Sequence, residues 1–147
     1  MRLTMRAITI GILFAMFAAP ASSAEVAVIA NPSVPAHSID KSRLLDLYSG
    51  DIKEWENGDP IVLVDLKPTA DVKDAFYGFL GKSASRMKSI WMKNMLTGEG
   101  RPPEAVASQE ELLRKVAATP GAIGYVDRNL VTSDVITLTV IRYGEGQ

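Results

Sequence analysis

Apolar residues recur along this chain in two alternating kinds of run. Val26-Ala27-Val28-Ile29-Ala30 is continuous and partly β-branched, as expected of a strand buried on both faces. Two prolines in Asn31-Pro32-Ser33-Val34-Pro35 break it and impose an extended loop. A helix capped by Ser38 or Asp40 follows, with Ile39, Leu44, Leu45, Leu47 and Tyr48 in one broad stripe. It ends at Gly50, a residue suited to the left-handed position. Asn57-Gly58-Asp59-Pro60 reads as a turn, and Ile61-Val62-Leu63-Val64 as a second buried strand. Asp71 opens a helix that carries Phe76 and Phe79 and stops near Gly81. Ser83 or Ser85 caps another, with Met87, Ile90, Trp91, Met95 and Leu96 at helical spacing. Gly98, Gly100, Pro102 and Pro103 make an irregular connection.

Ser108-Gln109-Glu110-Glu111 is a capping box, in which the serine oxygen accepts the Glu111 amide proton and that carboxylate reaches back. The helix it opens runs to about Thr119, where Pro120-Gly121 stops it. Strands are expected over 123–126 and 135–141. Neither a repeat nor a linker divides the chain. Helices alternating with apolar strands predict one α/β domain, built on a mainly parallel sheet with helices on both faces.

Compartment changes the picture of where that domain begins. Arg2 and Arg6 precede an apolar run over 7–19, and Ser22-Ser23-Ala24 presents small residues, the pattern of a secretory signal peptide. The run is shorter than the ~20 residues of a membrane span. The expectation is a signal peptide over 1–24, cleaved without a membrane anchor, and one domain over 25–147, periplasmic or secreted. That domain is 123 of the 147 residues; with Arg2 and Arg6 gone it holds 14 basic and 17 acidic residues, a net charge of −3. A weakly acidic domain argues against nucleic acid as a partner. It is large enough to bury a core without disulfides, in keeping with its lack of cysteine.

Leu44 to Gly50 with Ile52 and Trp55, the turn Asn57-Gly58 before Ile61, Phe76 with Leu80, Trp91, and Thr119-Pro120-Gly121-Ala122-Ile123-Gly124-Tyr125-Val126 together carry a resemblance. They resemble the second half of the phosphate-type periplasmic solute-binding proteins of ABC transporters, which have the type II periplasmic-binding fold. The chain has residues for about one lobe of such a two-lobe protein. The resemblance implies a fold with a small oxyanion as ligand and a membrane transporter as partner. In that family the strand equivalent to 61–64 is followed by an arginine and a Ser-Gly-Thr turn that holds the oxyanion at a helix start. Here Asp65-Leu66-Lys67-Pro68-Thr69-Ala70-Asp71 stands in its place, so Lys67 replaces the arginine and Thr69 supplies one hydroxyl. Asp71 sets a carboxylate at the helix N-terminus, where its own charge satisfies the dipole.

Asn31, Ser33, Lys67 and Thr69 are the candidate ligand-binding residues, as they fall at strand ends, where open α/β sheets form their clefts. No catalytic constellation is visible: His37 is alone in a proline-flanked loop, and the serines lack a nucleophile's setting. The expectation is a binding protein that is not an enzyme and carries no cofactor or metal. The alternative is a sensory or protein-interaction module that keeps the fold without the ligand. Trp91 and Met95 are expected in the core, and Tyr77 and Met92 in an exposed apolar patch. The face left by a missing lobe also admits closure by a homodimer.

Overall fold

A computed structural model describes residues 24–144. The expected signal peptide lies outside the described residues, except for Ala24. Strand β1 (Ala24–Ala30) is followed by α1 (Lys41–Ser49), β2 (Val62–Leu66), α2 (Asp71–Leu80), α3 (Ala84–Leu96), β3 (Glu104–Val106), α4 (Gln109–Ala118), β4 (Ala122–Asp127) and β5 (Ile136–Tyr143). A 3₁₀ turn, Arg128–Leu130, links the last two strands. No described helix is long and apolar enough to cross a membrane.

The caps explain where the helices start and stop. The Asp40 side chain accepts from the Arg43 amide at 2.8 Å, and Gly50, at φ 83°, closes α1. Ser83 caps α3, and the Ser108 hydroxyl accepts from Glu111 N–H at 3.1 Å at the head of α4. The return bond of the expected capping box is displaced by one residue: the Glu111 carboxylate accepts from Ala107 N–H at 3.1 Å, ahead of the cap. Helix α2 begins at Asp71, as expected. Ala70 holds its cap position without a side-chain hydrogen bond, and the Asp71 carboxylate makes none to the helix amides, contributing charge alone.

The sheet order is β3-β2-β4-β1-β5. Strands β3, β2 and β4 run parallel, and β1 is antiparallel to both β4 and β5. Four strands therefore point one way. The expectation of a mainly parallel sheet needs one amendment: β1, lodged between β4 and β5, points the other way. The sheet is mixed for that reason.

Helices cover both faces. A Cβ on Gly124 would lie 2.6 Å from Leu112 and 3.2 Å from Val116, so α4 presses on that face of β4. The next residue, Tyr125, stacks on Phe76 of α2 with centroids 4.1 Å apart, on the opposite face. Tyr48 of α1 meets the same Phe76 edge-on at 4.9 Å, and Trp91 of α3 donates to Tyr48 O at 2.7 Å. One helix thus covers one face and three cover the other, around a core that includes Val26 through Ala30 of β1, all fully buried.

Candidate functional site

Strand β2 extends two residues beyond the expected 61–64, and this extension creates the most polar buried spot in the domain. Beyond Leu63, β2 no longer pairs with β4, since only Val62 and Leu63 have partners there. Side chains take up the backbone groups that this splaying frees. Tyr48 Oη donates to Val64 O at 3.0 Å, and Leu66 N–H is shared between Asp65 Oδ1 at 2.9 Å and Tyr125 Oη at 3.4 Å.

Asp65 is 3% exposed. Tyr77 Oη donates to its Oδ2 at 2.8 Å, Tyr125 Oη donates to its Oδ1, and Lys73 Nζ stands 3.7 Å away. Lys73 is pinned in turn by Leu66 O at 2.5 Å. Burial, and then the Asp65 carboxylate, push the Tyr77 and Tyr125 hydroxyls far above the ordinary tyrosine value. They stay protonated as donors. The buried charge is therefore paired with a lysine and held by hydrogen bonds on both oxygens, the condition on which burying it is tolerable.

A cleft of about 570 Å³ opens above this network. Lys67 and Thr69 line it from the β2–α2 loop, facing Ser85 and Lys88 of α3. Among the described residues, neither Lys67 nor Lys88 has an ion-pair partner, so both ammonium groups are available to an anion. Trp91, Met92 and Met95 continue the α3 wall, opposite Pro102 and Pro103.

The four residues expected to share a site are divided between opposite ends of the sheet. Lys67 and Thr69 follow the end of β2. Asn31 and Ser33 follow the end of β1, which runs the other way and finishes beside the start of β4, where Ala30 faces Ile123. Asn31 Nδ2 donates to Val116 O at 3.0 Å and Ala117 O at 2.9 Å, and its Oδ1 accepts from Ser33 N–H. Ser33 Oγ accepts from Gly121 N–H at 2.9 Å. Both residues tie down the end of α4 and the turn before β4. The reversal of β1, invisible in the sequence, is what separates them from Lys67.

His37 is exposed in its loop. Tyr77 is buried, its hydroxyl bound to Asp65, and so is no part of a surface patch. Met92 is half-exposed, but so is Met95, which was expected in the core, and Leu96 is 82% exposed. The joining of Asp65, Lys73, Tyr77 and Tyr125 in one network has no expectation from sequence behind it. A charge inside an apolar strand run was the one signal that could have marked Asp65. No group of three or more metal-ligating side chains occurs among the described residues.

No protein-family model matches the chain, and neither does any curated protein. Solved structures do match. A protein described as a phosphate ABC transporter substrate-binding protein, from Clostridium perfringens and with bound phosphate, superposes with a TM-score of 0.66 at 20% identity, over 79% of this chain and 44% of that one. This chain has the fold of one half of such a receptor. An ABC-type phosphate transport receptor from Vibrio cholerae gives 0.64 at 16% identity, over 79% and 46%. PstS from Borrelia burgdorferi gives 0.58 at 16%, over 80% and 48%. The chain thus spans less than half the length of each, and the expected half-size, phosphate-receptor-like lobe is what the fold shows.

Proposed function

We propose that this protein is a secreted or periplasmic solute-binding module that holds a small oxyanion in the cleft at the end of β2. The observation that supports it most is the pairing of two unpartnered ammonium groups, Lys67 and Lys88, with the hydroxyl-bearing Thr69 and Ser85 in one cleft. Lys67 and Thr69 stand at the strand end that precedes α2, whose first turn carries Asp71 and Asp74, so the lysines rather than the helix end supply the attraction. Binding is by charge and hydrogen bonds, with no bond making. A lysine supplies a point charge rather than a bidentate fork, so the affinity expected is micromolar at best. Calorimetric titration with phosphate and sulfate tests this: saturable binding lost in Lys67→Ala supports it, and absence of heat with a folded protein refutes it.

Asn31 and Ser33, proposed from sequence for the same site, are held by α4 and Gly121 and belong to the other end of the sheet. Ligand binding should survive Ser33→Ala.

The exposed side chains of Met92, Met95 and Leu96 favour a second reading, a module that docks on a transporter or sensor in the membrane, or on a second copy. A sedimentation profile showing a monomer that gains no partner in membranes carrying the host's transporters would count against it.

A further inference from the structure

The cleft is polar at one end and apolar at the other. Along α3 the residues that face it recur every three to four positions, and their character changes along the helix. Ser85 and Lys88 occupy the first turns, Trp91, Met92 and Met95 the last. The opposite wall has the same polarity. Lys67 N–H donates to Val106 O at 2.8 Å, which places the Lys67 loop at the far end of β3. Pro102 and Pro103 precede the first residue of that strand, so they face the last turns of α3. Both walls therefore run from cationic to apolar in the same direction.

Inorganic phosphate would fill only the cationic end. The apolar end, ~10 Å of helix from Lys88 to Met95 at 1.5 Å per residue, would stay in contact with water. Methionine is the side chain best able to mould itself to an irregular apolar ligand, and two of them are half-exposed here. The volume is in the range of sites for organic molecules rather than bare ions.

We infer that the cleft takes an amphiphilic organic anion, with its phosphate or carboxylate head at Lys67 and Lys88 and its apolar body along Trp91, Met92 and Met95. This rests on the proposed function for the head group and extends it to the body. The Lys73 ammonium is committed to Asp65, so the head meets two cations rather than three.

The test is a calorimetric series on the purified protein with inorganic phosphate and methyl, butyl and hexyl phosphate, with hexanol as the uncharged control. Fluorescence of Trp91 gives a second readout, since Trp55 is buried. Affinity is expected to rise about two- to fourfold per methylene buried, and to fall to that of methyl phosphate for hexyl phosphate in the Met92→Gln, Met95→Gln double variant. Lys67→Ala should weaken every member of the series, and hexanol should not bind.

Phosphate binding with no gain from the alkyl chain would overturn the inference and leave the oxyanion site standing. A chain-length gain unaffected by the double variant would overturn it as well, by placing the body elsewhere. Binding of hexanol as tight as that of its phosphate ester would remove the lysines from the site. No binding by any anion would refute both readings together.

Discussion

Asp65 shows how one residue sets the properties of those around it. Its carboxylate is held by two tyrosine hydroxyls and by Lys73, and the tyrosines are deeply buried. Tyr125→Phe leaves a buried carboxylate one donor short, and a loss of about 1–3 kcal/mol is expected in urea unfolding. The same pair, with the buried Tyr48, bears on the alkaline limit. In the folded chain burial and the Asp65 charge raise both hydroxyls far above the 10 at which they ionise when unfolded. A raised folded value means that stability is fully present below pH 10 and falls as pH rises past it, by up to ~1.4 kcal/mol per pH unit for each tyrosine. Phenolate absorbance from Tyr77 and Tyr125 should therefore appear only together with unfolding; ionisation near pH 10 in the still-folded protein would contradict the burial described. Gly121 is a second decisive residue. It sits at φ 76°, and a Cβ there would meet Pro60 O at 2.4 Å. Gly121→Ala should cost about 1–3 kcal/mol, seen as a lower urea midpoint. Sequence marked Gly121 as a helix stop, but its approach to Pro60 joins distant parts of the chain and leaves no local trace. The chemistry at Asp65 was hidden for the same reason, because its partners come from α2 and β4.

At the level of elements, the helices were legible because their ends carry their own chemistry. Asp40, Ser83 and Ser108 each accept from an amide three residues on, and Gly50 and Gly81 stand at positive φ where the helices end. Ser108→Ala should cost about 1 kcal/mol and Ser108→Asp almost nothing, a difference readable in thermal midpoints. Strand β3 escaped notice because Glu104, Ala105 and Val106 are too few to show a period, and only Val106 is buried. Their pairing to β2 is supplied by tertiary contact alone. Helix α3 was read as a core helix from the spacing of its apolar residues. Only Met87 is fully buried in it; Ile90 and Trp91 are partly buried against the core, Trp91 and Met95 also line the cleft, and Leu96 faces solvent. Helical spacing identifies a stripe without saying what covers it, so cleft wall and core were indistinguishable.

Over the whole molecule, three strands are tied at one end of the sheet by a charge cluster. Glu25 of β1 accepts from Arg128, in the turn after β4, and from Arg142 Nε of β5 at 3.1 Å. The hydrogen bond from Arg128, with the Arg142 contact added, holds the Glu25 carboxyl below its ordinary value of 4.5 despite some desolvation. A lowered folded value makes this contribution present above pH 4.5 and lost as pH falls through the folded value. Glu25→Gln should therefore lower the thermal midpoint at neutral pH. The gap to the parent protein should close in acid, and should narrow with added salt. The α/β class and the half-receptor fold were legible from the alternation of elements and the Thr119 to Val126 segment, whereas strand direction was not, and with it went the grouping of Asn31 and Ser33 with Lys67. The reversed position of β1 also bears on when the chain can fold. Val26 faces Asp127 and Ala24 faces Tyr143, partners more than a hundred residues further along. Until β4 has been synthesised, the apolar run Val26 to Ala30 has neither of its sheet neighbours, and until β5 follows it lacks the second. Such non-local pairing is slow to form, so this first strand stays unpaired for most of the chain's synthesis, and any machinery that handles extended polypeptide has that interval in which to seize it.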